Sequence, residues 1–226
     1  METKETFNPV IVSLVLERKI VILDTEKNIL EGAKNLFMQF GLKSITMDDI
    51  ARKVGVSKKT IYQFFNDKNS IVFKSVQEHF SDHRKVIEEV LDSSKNAIEA
   101  MYRLSRCMKV QVEAVNPTVL YDLQRYFPKA YKRFLEFKNT FMKEKMTSIL
   151  EDGKASGYFR KEINTEILII QRIEQVQLAF KSEIFPRDKF DFKELHEQLF
   201  DHFIHGLLTD KGKVKYNQYL NEEHDA

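Results

Sequence analysis

Apolar residues recur along most of the chain at intervals of three and four, the period of helices that lie against a core. From about Thr25 to Phe40 the positions Ile29, Leu30, Ala33, Leu36, Phe37 and Phe40 share one face, and Gly41 ends the run. Between Thr46 and Phe65 the pattern breaks into two short helices joined by a tight turn. Thr46 with Asp49 three residues on makes a capping-box-like start, and Met47, Ile50, Ala51 and Val54 form the apolar face of the first helix. Gly55 is placed to close it in the left-handed conformation, and Ala51 is small enough for a second helix to cross closely. Ser57 caps that second helix, Val56 anchors its entry, and Ile61 and Phe65 point inward.

The remaining punctuation predicts further helices. A long one starts at Asn66-Asp67 and runs to about Leu91, with Ile71, Val72, Val76, His79, Phe80, His83, Val86, Ile87 and Val90 as its stripe. After Asp92-Ser93-Ser94 comes a helix from about Asn96 to Val115, carrying Met101, Leu104, Ser105, Met108, Val112 and Val115, which Asn116-Pro117 breaks. A short helix over Thr118 to Tyr126 is cut by Pro128, and a long one over about Ala130 to Leu150 leads to a turn at Gly153 to Gly157. Two more follow, from Thr165 to Ile184 and from Asp191 to Leu208, and the polar residues after Gly212 are expected to fray. The apolar run Val10 to Leu16 falls short of the roughly 20 residues that cross a bilayer. Its flanks fit neither a span nor a secretion signal, so residues 1–23 are read as an N-terminal extension with no assigned function.

The fold class is therefore all-α. A three-helix unit over residues 24–83, with its helix-turn-helix at 46–65, is joined by the long fourth helix to a helical domain over 84–210, followed by a polar tail over 211–226. Composition agrees: 42% of residues are apolar and 31% charged, with 18 Phe, four Pro, seven Gly and no alternation of strands and helices. One cysteine, Cys107, excludes an intramolecular disulfide and suits a reducing cytoplasm; it falls beside its helix's stripe, where partial burial is expected.

Charge changes the picture only locally. The chain carries a net +2, yet Gly41 to Lys68 alone carries six cations, among them Lys58, Lys59 and Lys68, against Asp48, Asp49 and Asp67. The rest is slightly acidic, which points to one basic surface instead of a basic coat. The second short helix turns Lys58, Lys59, Thr60, Tyr62 and Gln63 outward, a set of cations, hydroxyls and an amide suited to phosphates and base edges in a major groove.

The block ILEGAKNLFMQFGLKSITMDDIARKVGVSKKTIYQFFNDKNSI, Ile29 to Ile71, resembles the DNA-binding domain of TetR-type transcriptional regulators. The likeness rests on Phe40-Gly41, the Thr46 start, the turn from Ala51 to Ser57, and the series Thr60, Tyr62, Phe65, Lys68, Ile71. Later it is looser, with Gly153, Gly157, Tyr158 and Phe159 resembling a recurrent stretch. The resemblance implies a homodimeric, ligand-responsive regulator, a repressor in the leading reading, that binds a double-stranded DNA operator of palindromic form. It implies a small-molecule effector, no cofactor and no membrane. It also implies that Tyr62, Lys68 and the start of the fourth helix flank a phosphate, with Thr46 and Ser57 beside them, and that the fourth helix carries motion from ligand to DNA. The rival reading is an all-helical interaction protein that grips DNA nonspecifically or not at all.

A ligand cavity is expected between the fourth helix and the helices up to Leu150, lined by His79, His83, Met101, Ser105, Met108, Tyr121 and Phe141; the apolar positions equally suit an ordinary core, and the polar His79, His83 and Ser105 are the reason to expect a cavity. His79 and His83, four apart, could also ligate a metal if a third group such as His196 joined them, but no metal site is assigned. The dimer interface is expected on the last two long helices, packed with their mates as a four-helix bundle. Ile170, Ile173, Val176, Phe180, Phe203, Ile204 and Leu207, with Ile167 and Ile169, present more apolar surface than one core face hides. With no glycine-rich phosphate loop, nucleophile elbow or metal-protease spacing, the chain does not read as an enzyme.

Overall fold

Local capping chemistry sets three of the first four helices. The structure, a computed structural model, describes residues 9–113, 116, 118–181 and 183–224, and side chains from Asp24 on apart from 109–113 and 222–224. Helix α1 spans Pro9–Phe40, α2 Met47–Val54, α3 Lys58–Phe64 and α4 Lys68–Asp92. Thr46 and Asp49 exchange hydrogen bonds in a full capping box, Ser57 caps α3 through the Thr60 N–H, and Asp67 and Ser70 cap α4 reciprocally. Helix α1 starts well before Thr25, so Pro9 onward extends the support helix instead of forming a separate segment. The side chains of Val10 to Leu16, Val112 and Val115, and residues 1–8, lie outside the described residues.

The second half comprises α5 (Ala97–Glu113), α6 (Thr118–Tyr126), α7 (Pro128–Glu136), α8 (Lys143–Ala155), α9 (Thr165–Ala179), α10 (Phe192–Leu207) and α11 (Asp210–His224). Three expectations are corrected. The helix expected over Ala130 to Leu150 is not uniform: Phe137–Met142 forms a π-helical stretch between α7 and α8, and its wider turn resets which side chains face inward. Helix α9 stops at Ala179, short of Ile184, which is exposed. The residues after Gly212 do not fray but form α11, because Tyr216, Tyr219 and Leu220 pack against the core beside α5. Burial pushes the Tyr216 phenol up to about 12.

Gly153 lies inside α8, not in a turn, and a methyl group there would overlap the ring of fully buried Phe159. That ring is held against α8 because Tyr158 and Arg160 bond to the end of α10: Arg160 N–H donates to Leu207 O and Thr209 N–H to Tyr158 O, both at 2.9 Å.

Two cores meet on α4, where Phe80 packs against both. One joins α5, α8, α10 and α11. The other is the core of the helix-turn-helix head, and it also takes in Leu123, Phe127 and Ala130 from α6 and α7. The boundary expected near residue 83 therefore does not divide the packing, since α6 and α7 close the head's own core. Phe40 and Val86, placed on apolar stripes by their spacing, are exposed.

Candidate nucleic-acid interface and cavity

Helix α3 presents Lys59, Tyr62 and Gln63 to solvent, with the tyrosine 47% exposed. Lys58 is exposed too, but its ammonium reaches back to Asp48 Oδ2 at 2.9 Å, tying α3 to α2. Thr60 is half-buried and shares a 2.8 Å hydrogen bond with Ser57 Oγ, which also accepts the Thr60 N–H at 3.0 Å. Thr46 donates its hydroxyl to Asp49 Oδ2 at 2.6 Å, and these bonds hold the Asp49 carboxyl below its usual range. Thr46 and Ser57 thus spend their hydroxyls on the helix starts in the free chain.

Lys68 has partners of its own in the free chain. Its side chain is half-buried, donates to Lys43 O at 3.0 Å and lies over the Phe127 ring, so in the free chain it binds the α1–α2 loop instead of pointing outward. Desolvation pushes its pKa down, against the pull of Asp122 and Asp49.

Behind the head lies a cavity of about 240 Å³. His79 and His83 of α4 and Met101, Ser105 and Met108 of α5 line it. Tyr121 and Phe141 do not. On α6 it is Val119, Leu120 and Leu123 that face the void, leaving Tyr121 59% exposed on the outer side. In the π-helical stretch Phe137, Lys138 and Met142 face the cavity, and Phe141 is rotated into the core beneath the Arg84 guanidinium. Sequence reasoning also missed the wall supplied by the head itself, Lys34, Phe37 and Met38 of α1 with Leu42, and the wall supplied by Arg172, Ile173, Val176, Gln177 and Phe180. Both were hidden because each lies on an element assigned to another task. Burial pushes the His79 pKa down to about 4 and lowers that of His83, so both imidazoles are neutral near pH 7. Among the described residues no three His, Cys, Asp or Glu side chains gather as a metal site.

Helix α6 connects cavity and head. Asn116 N–H and Nδ2 donate to Met38 O (2.8 Å) and Gln39 O (3.1 Å), two of the carbonyls that the end of α1 leaves free. Buried Asp122 accepts the backbone N–H of Lys43 at 2.8 Å, and Lys43 Nζ donates to Tyr126 OH at 2.9 Å. Gly41, at φ 84°, leaves no room for a side chain: a methyl group would collide with Thr118 Oγ1. Glycine takes a backbone angle that a side chain disfavours, and its lack of a Cβ admits α6 at the same time.

The geometry of a capped helix-turn-helix with an exposed second helix is matched over residues 29–74 by the family model of bacterial regulatory proteins, tetR family. The head is of the TetR type. It is 24% identical over 190 residues to the uncharacterized HTH-type transcriptional regulator YvaF of Bacillus subtilis, covering 82% of this chain and 97% of that one. The HTH-type transcriptional repressor KstR2 of Rhodococcus jostii is 29% identical over 146 residues, covering 62% of this chain and 70% of its own length. A TetR-family transcriptional regulator from Agrobacterium tumefaciens shares the fold, with a TM-score of 0.69 at 17% identity, over 83% of this chain and all of that one.

For this chain the interface expectation needs revision. Phe203, Ile204 and Leu207 are buried within the protomer, because α10 packs against α5 and α9 and spends its stripe there. Ile173, Val176 and Phe180 face the cavity. Of the seven positions only Ile170 is exposed, beside Ile167, at 47% and 62%. Among the described residues no helix is long and apolar enough to cross a membrane.

Proposed function

We propose that this protein is a ligand-responsive transcriptional repressor that binds a palindromic DNA operator as a dimer. The observation that carries the reading is the exposed face of α3, where Lys59, Tyr62 and Gln63 stand clear of the head's core on a helix fixed by caps at both neighbours. Gln63 offers an amide to base edges, and Lys59 and Tyr62 offer a charge and a phenol to phosphates. The N-terminus of α4, which the resemblance sets with Tyr62 around one phosphate, adds backbone N–H groups, and Lys68 joins them once it leaves the Lys43 carbonyl.

The effector acts through the shared wall. A molecule in the cavity touches α4, α6 and the end of α1 together, so filling the void shifts α6 relative to the head. Two recognition helices must sit roughly 34–36 Å apart, or a multiple of that, to enter successive major grooves of one palindrome. A ligand that favours a different spacing weakens operator binding by its differential affinity for the two states. The dimer is proposed to form through the outward face of α9, at Ile167 and Ile170, with the outer face of α10 alongside. The expected setting is the cytoplasm.

Competition binding tests the reading. Duplex DNA from upstream of the protein's own gene should bind at least a thousandfold more tightly than random duplex at physiological salt, the lower end of specific recognition. Equal affinity for both would reject it.

A further inference from the structure

The walls of the cavity are almost wholly apolar, and each of its cations except one is already neutralised. Lys34 pairs with Glu31 and Glu78 at 3.0 and 3.4 Å, and Lys138 with Glu174 at 2.8 Å. His79 and His83 are uncharged. The exception is Arg172, which is 5% exposed, faces the cavity from α9 and has no carboxylate partner among the described residues. Its guanidinium donates to Gln175 Oε1 at 2.9 Å and stands over the rings of Phe200 and Phe203 at 5.3 and 5.6 Å. An arginine carries five N–H donors in a flat fork, and one amide with two ring faces leaves most of that capacity unused. A second polar group of the same cavity is also unsatisfied: Ser75 Oγ of α4 is buried with no hydrogen-bond partner among the described residues.

A buried cation without a counter-ion is costly, and it persists where something else supplies the negative charge. We propose that the cavity takes an apolar molecule bearing a single carboxylate, whose two oxygens seat on the Arg172 guanidinium while its body fills the space lined by Phe80, Met101, Leu104 and Phe137. The inference rests on the effector reading above and gives the ligand its class. The fork matches a carboxylate with two parallel hydrogen bonds, a fit that a lone hydroxyl or an ammonium does not offer. A cavity of about 240 Å³, just under the roughly 300–1,000 Å³ typical of sites for drug-sized molecules, favours a small organic acid over a large conjugate. Binding also places charge next to α9, whose opposite face carries Ile167 and Ile170, so recognition of the head group reaches the proposed dimer face directly.

The probes are decanoate, decan-1-ol, decylamine and decanoyl-coenzyme A, titrated calorimetrically into the full chain without DNA. Decanoate should bind at least tenfold more tightly than the alcohol, with the amine weakest, and the thioester should bind more weakly than the free acid. Arg172→Gln should remove the preference of acid over alcohol, and Arg172→Lys should restore part of it while losing the two-point fit. Equal affinity for acid and alcohol in the parent chain overturns the proposal whether or not the variants fold, as does a variant Arg172→Gln that keeps the tenfold preference. A thioester that outcompetes the acid overturns the free-carboxylate assignment. Because no DNA is present, failure here leaves the operator test above standing by itself, and failure of that test leaves this measurement unaffected.

Discussion

Asp122, buried on α6, accepts the backbone N–H of Lys43 at 2.8 Å, joining residues 79 positions apart where the cavity wall meets the helix-turn-helix head. Removing the carboxylate leaves a backbone donor without its partner. Asp122→Ala should cost about 1.5–3 kcal/mol of stability, the range for a hydrogen bond to a charged group. It should also weaken the link between cavity and head, so that a ligand which lowers operator affinity in the parent lowers it less in the variant. Urea unfolding and operator titrations with and without ligand read the two effects. An unchanged ligand response would remove α6 from the coupling route.

On the DNA side, Lys59 and Lys68 should behave differently. Lys59 is exposed and has no partner among the described residues, so Lys59→Ala should make the salt dependence of binding shallower by roughly 0.9 log units per log unit of salt, one phosphate's worth. Lys68 begins from a bond to Lys43 O, so its loss should flatten the slope by less and lower stability as well. Gln63→Ala should relax preference at one operator position, by about 1–3 kcal/mol if the amide contacts a base. A slope equal to the parent's for Lys59→Ala would take that residue off the phosphate list.

Stability should fall between pH 7 and pH 5 through His79. Desolvation, with smaller contributions from His83 and Lys34 and against the pull of Asp82, lowers its pKa from 6.5 to about 4. The unfolded chain therefore takes up this proton first, so the contribution is complete above pH 6.5 and is lost as pH falls towards 4. The loss from pH 7 to 5 should be on the order of 1–2 kcal/mol, and His79→Gln should remove that part of the pH dependence. Parallel curves for parent and variant would show that the imidazole titrates normally.

The dimer prediction separates two isoleucines from a phenylalanine. Ile170→Glu or Ile167→Glu should yield a folded monomer in analytical ultracentrifugation, with operator binding greatly weakened. Phe203→Glu places a charge in the protomer's own core and should reduce folding instead. A folded dimer for both isoleucine variants would move the interface off α9.

Gly153→Ala should cost about 1–3 kcal/mol through overpacking against Phe159, although alanine is the better helix former. A variant as stable as the parent would mean that the Phe159 ring can move aside.

The helix-turn-helix was legible in the chain because its instructions are local. Thr46 with Asp49, Gly55, Ser57 and the spacing of Ile50, Ile61 and Phe65 fix caps, turn and inward faces within a few residues of one another, and the structure follows them. The all-α class and most helix ends were legible for the same reason. Tertiary structure alone decided how the apolar stripes are shared out. Phe203, Ile204 and Leu207 read as surplus surface until α10 is seen packed against α5 and α9, and the residues after Gly212 read as tail until Tyr216 is found buried. Tyr121 and Phe141 missed the cavity because helix rotation and a π-helical turn, neither marked in the local pattern, settle which way they face. The same holds for Arg172, the single cation of α9, whose meaning depends on its having no carboxylate partner among the described residues. Periodicity tells a residue that it has an inner face; only the packing of distant elements decides what lies on the other side of it.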